Sequence, residues 1–137
     1  TIKTMLNVQV MFPEGEYFDQ VKVNELYLTT LNGPITILGD HAPMVTILDI
    51  GVCSLKIENN WKSFVGVGGY AEVIDNNVII LMRDIIEIKD KAIEDVMSEI
   101  QQSLSSLKDA KTLKLKMEAA QEIRLKTMIL NALARER

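Results

Sequence analysis

The residue types that carry most protein chemistry are scarce in this chain. It holds one histidine, His41, and one cysteine, Cys53. His41 lies in a loop flanked by glycine and proline, and Cys53 lies in an apolar segment that reads as a strand. A Cys–His dyad would need the thiol deprotonated beside the imidazole, whereas a strand cysteine reads as buried and inert. One His and one Cys fall short of the three or four ligands of a zinc site. Gly66-Val67-Gly68-Gly69 lacks the Lys-Ser/Thr that completes a phosphate loop, so it reads as a bulge or bend between strands. Carboxylate pairs such as Glu14 with Glu16, or Glu94 with Asp95, have no apolar surroundings to raise a pKa. No catalytic, cofactor or metal residues are expected.

A second kind of chemistry is concentrated near the end. Lys111, Lys114, Lys116, Arg124, Lys126, Arg135 and Arg137 give the last segment a positive bias in a chain of net charge −4. They read either as a solvated face paired with Glu118 and Glu122, or as a surface that docks on an acidic partner. The overall acidity speaks against nucleic-acid binding. The longest apolar run, Val78 to Met82, stops at Arg83-Asp84, far short of a membrane span. Thr1-Ile2-Lys3 resembles neither a signal peptide nor a transit peptide. A lone cysteine allows no internal disulfide, which suits a reducing compartment.

The elements that would position these residues fall into two halves with different periods. Leu6, Val8, Val10 and Phe12 alternate with other side chains, the period of a half-buried strand. Pro13-Glu14-Gly15 turns the chain. Further strands are expected at Val21–Thr30, Ile35–Leu38, Met44–Leu48, Val52–Glu58, Trp61–Val67, Tyr70–Ile74 and Val78–Met82. Asn59-Asn60 and Asn76-Asn77 read as hairpin reversals, since asparagine tolerates left-handed backbone. Many short strands without intervening helices predict an all-β sandwich or barrel.

After residue 88 the period becomes helical. Ile93, Met97, Ile100, Leu104 and Leu107 share one face, with Asp90 as the expected N-cap. Ser105 to Lys111 is the expected turn. A second helix is expected from about Thr112 to Arg135, with Leu115, Ala119, Ile123, Leu130 and Leu133 near one face. Leu125, Met128 and Ile129 fall off that stripe, and read either as packing on the β domain or as a partner surface. The last glycine is Gly69 and the last proline Pro43, so nothing in the tail firmly breaks a continuous helix.

At this point the residues match a family. Gly39-Asp40-His41-Ala42-Pro43, Gly68-Gly69-Tyr70-Ala71-Glu72-Val73 and Asn77-Val78-Ile79-Ile80-Leu81 resemble, in order and spacing, segments of the epsilon subunits of F-type ATP synthases. The resemblance implies a flattened ten-stranded β-sandwich over residues 1–87 and a two-helix hairpin over 88–137. It implies a non-catalytic central-stalk subunit on the cytoplasmic, stromal or matrix face of an energy-transducing membrane. Its sandwich would bind the gamma shaft and sit on the c-subunit ring, coupling head rotation to ion transport. Its helices would reach the alpha and beta subunits and inhibit ATP hydrolysis. The partner-contact residues implied are Pro34, Asp40 and His41 in the sandwich, with Lys114, Lys116, Arg124, Lys126 and Met128 in the tail.

The departures from the family pattern are specific. Pro34 stands where some members carry a glutamate, Thr36 where a glycine is usual, and Gly39 where a proline is usual. They motivate an alternative, a motor subunit uncoupled from an ion-conducting ring. Some members bind ATP through an Ile/Leu-Asp-x-x-Arg-Ala motif, and here Ala92 replaces its aspartate and Asp95 its arginine. A carboxylate at a phosphate-neutralising position argues against a cofactor. A free-standing nucleotide-sensing adaptor is accordingly disfavoured.

Overall fold

A computed structural model describes residues 4–136. Thr1-Ile2-Lys3 and Arg137 lie outside the described residues. The strands are β1 (Leu6–Phe12), β2 (Gly15–Val23), β3 (Glu25–Thr30), β4 (Gly33–Leu38), β5 (Met44–Leu48), β6 (Gly51–Ile57), β7 (Asn60–Ile74) and β8 (Asn77–Ile86). The helices are α1 (Ile93–Asp109) and α2 (Leu113–Arg135).

The strands make a sandwich, with eight described strands rather than the implied ten. The boundaries differ most in three places. The expected strand Val21–Thr30 starts earlier, at Gly15, and breaks at Asn24, β8 continues past Met82 to Ile86, and Trp61–Val67 with Tyr70–Ile74 form one strand, β7. That strand pairs with β6 through Asn60–Gly66 and with β5 through Gly69–Val73, so it serves both layers. Gly68 (φ 59°) and Gly69 (φ 135°) let it pass between them, and a side chain on Gly69 would overlap the Leu81 carbonyl. Its register with β8 is unbroken there, so the glycines make a bend and not an inserted residue.

The hairpin reversals fall one residue earlier than expected. Glu58-Asn59 and Asp75-Asn76 carry the positive φ angles, and Asn60 and Asn77 already pair as the first strand residues. Alternation in β1, β7 and β8 drives Leu6, Val8, Val10, Ala71, Val73, Val78, Ile80 and Met82 into the core with Leu26, Leu28 and Phe64. Cys53 is buried among them, and burial pushes its thiol pKa up.

The tail forms an antiparallel hairpin with shifted boundaries. Asp90 caps nothing; the Lys91 N–H bonds the Ile88 carbonyl at 3.0 Å, and α1 starts two residues later with Ala92 at its N-cap. α1 runs to Asp109, so the turn is only Ala110 to Thr112. Thr112 caps α2, its Oγ1 accepting from the Leu115 N–H at 3.1 Å.

Candidate functional site: two surfaces and a docking joint

The first surface is the outer face of the sandwich. β5, β7, β8 and β1 lie side by side, and their registers place outward residues in rows across the sheet. One row runs Ile47, Tyr70, Leu81 and Met11, and the next runs Val45, Glu72, Ile79 and Gln9. Val45 is 68% exposed and Ile47 60%, with Tyr70 and Ile79 also open. Six of these eight side chains are large and apolar, a contiguous patch of the kind that marks an interface. The sequence carries a signal for this patch. Met44-Val45-Thr46-Ile47-Leu48 and Val78-Ile79-Ile80-Leu81-Met82 barely alternate, as in strands covered on both faces.

The loop that carried the resemblance lies beside β5. Asp40 (φ 65°) is tied to the β7–β8 turn: its N–H donates to Asn76 Oδ1 at 2.6 Å, and Asn76 Nδ2 donates back to Oδ1 at 3.2 Å. Thr4 Oγ1 donates to Asp40 Oδ2 at 3.1 Å. Gly39 abuts Thr4 so closely that a Cβ would overlap the Thr4 carbonyl, which gives the glycine at this position a steric reason. His41 is half-buried, its Nδ1 2.7 Å from the Ala42 carbonyl. Pro34 is exposed at the other end of β4, paired with Thr29. β4 ends the strand order, and an edge strand tolerates a proline. The structure therefore separates Pro34 from Asp40 and His41 by the length of β4.

The second surface is the hairpin. Val96 and Ser103 are the buried residues of α1, while Met97 and Leu104 of the expected face are exposed. Ser103 Oγ donates to Glu122 Oε2 at 3.3 Å, and Lys126 Nζ lies 3.4 Å from Ser103 Oγ and 3.8 Å from Glu122. Lys126 is thus engaged between the helices, while Lys114, Lys116 and Arg124 are exposed. Near the turn, Leu113 (74% exposed), Leu115 and Met117 stand in solvent, so Leu115 is not on a covered face.

The joint between the halves buries Val52, Val65, Ile88, Val96, Ile129 and Ala132, flanked by Ile50, Leu125 and Met128. Leu125, Met128 and Ile129 therefore pack on the sandwich, and the exposed apolar surplus lies at the hairpin tip instead. At the end of α2 the Arg135 guanidinium stacks 3.9 Å from the Tyr27 ring and 4.7 Å from the Trp61 ring. Its Nε donates to Ser54 Oγ at 3.0 Å, and Glu136 Oε1 accepts from the Ser63 N–H at 2.7 Å. Ala92, at the N-cap, and Asp95, in the first turn beside Glu94, are both exposed. Among the described residues no group of three or more His, Cys, Asp or Glu is placed to hold a metal.

Comparison with known proteins agrees with this architecture. Residues 5–88 match the family described as the ATP synthase Delta/Epsilon chain, beta-sandwich domain. The "ATP synthase epsilon chain, chloroplastic" of Emiliania huxleyi is 38% identical over 94% of this chain and 98% of its own. That of Gracilaria tenuistipitata var. liui is 32% identical over 87% and 88%. Among solved structures, one from the Euglena gracilis mitochondrial ATP synthase superposes with a TM-score of 0.77 at 16% identity, covering 97% of this chain and 84% of that one. One from the Tetrahymena thermophila mitochondrial ATP synthase gives 0.59 at 20% identity, covering 96% and 98%. With a sandwich and hairpin in the expected order and a family match over most of its sandwich, the chain belongs to the ATP synthase delta/epsilon family.

Proposed function

We propose that the chain is a non-catalytic rotor subunit of a rotary ATP synthase, held in the central stalk by its sandwich and regulating hydrolysis through its hairpin. The observation that carries this reading is the apolar outer face of β5, β7, β8 and β1. A sheet face that exposes Val45, Ile47, Tyr70 and Ile79 is costly in water and gains by covering. The gamma shaft is the partner assigned to it. Asp40 and His41, in the loop beside β5, and Pro34, on the edge strand, are the proposed contacts to neighbouring rotor parts, including the c-subunit ring. Through those contacts the sandwich would pass rotation of the head to ion transport.

The hairpin is the proposed brake. Its exposed Lys114, Lys116 and Arg124, with the open apolar side chains of the tip, suit the alpha and beta subunits of the catalytic head, while Met128 would take part only once the hairpin leaves the sandwich and Lys126 only once it leaves Ser103 and Glu122 between the helices. Two units are proposed, 1–87 and 88–137, with the ordered joint between them separable. No ATP site is proposed on α1, because Asp95 would face the phosphates with a like charge. Peripheral attachment to an energy-transducing membrane follows from the same assembly, and no helix of the described residues is long and apolar enough to cross a membrane.

The test is co-purification from cells carrying the tagged chain. Recovery with gamma, alpha and beta subunits is expected. Recovery of the folded chain without them would overturn the assignment.

A further inference from the structure

We infer that the last two described residues of the chain, Arg135 and Glu136, form a latch that holds the hairpin down on the sandwich, with Trp61 as part of the catch. The catch is built from one stretch of sheet. β7 extends past the end of β8, whose pairing with it begins only at Val65↔Ile86. The Asn60–Phe64 part of β7 therefore presents an edge on the side away from β6. A bare edge N–H in a covered position is costly, and Glu136 satisfies the one on Ser63 at 2.7 Å.

Arg135 holds the face of the same stretch. Tyr27 of β3 is paired with Ser54 of β6, which is paired with Ser63 of β7, and Trp61 stands one step along. The guanidinium spans this row, stacked on both rings and donating to Ser54 Oγ, which itself lies 2.7 Å from Ser63 Oγ. Ser54 and Ser63 are buried hydroxyls that bond each other, and Arg135 adds a charged donor to that pair. A planar fork that stacks and donates at once is particular to arginine. The cation also sits in the last turn of α2, where the helix dipole favours it.

Elsewhere the hairpin's grip on the sandwich is apolar: Val96, Ile129 and Ala132 are buried there, with Ile100, Leu125, Met128, Leu130 and Leu133 half-covered. The terminal latch adds to this non-directional apolar joint its polar and charged contacts at the free end of α2, where the hairpin would begin to lift. This deepens the proposed brake, since the fraction of undocked hairpin sets how often the tip can reach the head.

The full-length chain tests the latch through amide hydrogen exchange and the fluorescence of Trp61, its only tryptophan. In Arg135→Ala the α2 amides from about residue 125 onward should exchange roughly tenfold faster, as expected for losing a stacked cation and one hydrogen bond. Trp61 should become more accessible to acrylamide, while β1 and β8 amides stay as protected as before. Arg135→Lys keeps the charge but not the fork, and should fall between wild type and alanine. Exchange and quenching unchanged in Arg135→Ala, or wild-type values in Arg135→Lys, would overturn the latch. In the assembled motor Arg135→Ala should lower hydrolysis by freeing the hairpin. Faster exchange with unchanged hydrolysis would leave the latch standing and overturn the brake.

Discussion

The sandwich and the hairpin solve the same problem, covering apolar side chains, in opposite ways. The sandwich closes on itself: Leu6, Val8, Val10, Leu26, Leu28 and Ile80 are fully buried in a core that needs no helix. The hairpin buries little of its own, and the residues it hides between its helices, Ser103 and Ala119, are small. Met97, Leu104, Leu113, Leu115 and Met117 remain open. A self-sufficient sheet beside a helix pair with unspent apolar surface is the physical profile of a fixed anchor joined to a movable part. The composition agrees, because the sandwich holds all seven glycines and all three prolines, while the tail has neither breaker.

The contrast breaks most severely in the sandwich core. Phe64 packs against Tyr17 with ring centroids 5.0 Å apart, and Phe64→Ala should cost about 3–5 kcal/mol, read as a lower melting temperature of the whole chain. A melting temperature that does not move would mean the sheet is not the stabilising unit. Next comes the outer face. Val45→Asp with Ile47→Asp should leave the melting temperature nearly unchanged, because both side chains are exposed, yet weaken binding to the shaft by roughly a hundredfold through two desolvated carboxylates. Normal incorporation of that variant would move the rotor interface elsewhere.

Ile129→Ala sharpens the comparison from the helical side. In a closed core it would cost about 2–5 kcal/mol, but a hairpin that can lift off should respond locally. The expected result is faster exchange in α2 with an unmoved sandwich transition. A global loss would make the halves one cooperative unit.

Charge effects are smaller still. Replacing Lys114, Lys116, Arg124 and Lys126 together by alanine should weaken inhibition of hydrolysis, and rising salt should do the same. Each exposed pair contributes only about 0.2–1 kcal/mol, so the single variants should look like wild type. Undiminished inhibition in the quadruple variant would remove charge from the brake.

The smallest expected signal is chemical. Burial pushes the Cys53 thiol up, and burial with nearby Glu87 pushes the Tyr17 phenol up to about 12. Both groups stay neutral in the folded chain after their unfolded counterparts ionise, so folding stability should decline as pH climbs through the ordinary thiol and phenol ranges. Below those ranges neither group makes stability depend on pH. Alkylation of Cys53 should occur only on unfolding, and rapid labelling of the native chain would contradict its placement in the core.

Much of this contrast is written in local periods. Leu6-Val8-Val10 declares a strand, and the spacing of Ile93 to Leu107 declares a helix, because both follow from neighbours a few positions apart. The hairpin reversals were displaced by one residue because Glu58 and Asp75 share the left-handed backbone that asparagine more readily signals. The division of β7 failed for a related reason: glycines that interrupt a pattern look the same whether the chain turns back or only bends. For α2 the period shows which side chains share a face, but not which face is covered when apolar residues lie on several. Arg135 with Ser54, and Glu136 with Ser63, join positions 81 and 73 residues apart. No local pattern encodes such a meeting. The outer sheet face is legible in the apolar runs of β5 and β8 only as an ambiguity, because continuous runs are also what a fully buried strand shows.

The central claim is that the sandwich binds the rotor while the hairpin restrains hydrolysis. The most direct measurement is the steady-state ATP hydrolysis of motor assembled with the full chain or with one ending at residue 88, subunit content being quantified in the same samples. The account predicts that the shortened chain is incorporated to the same extent and that hydrolysis rises. A shortened chain missing from the complex, or one incorporated with hydrolysis unchanged, would contradict it.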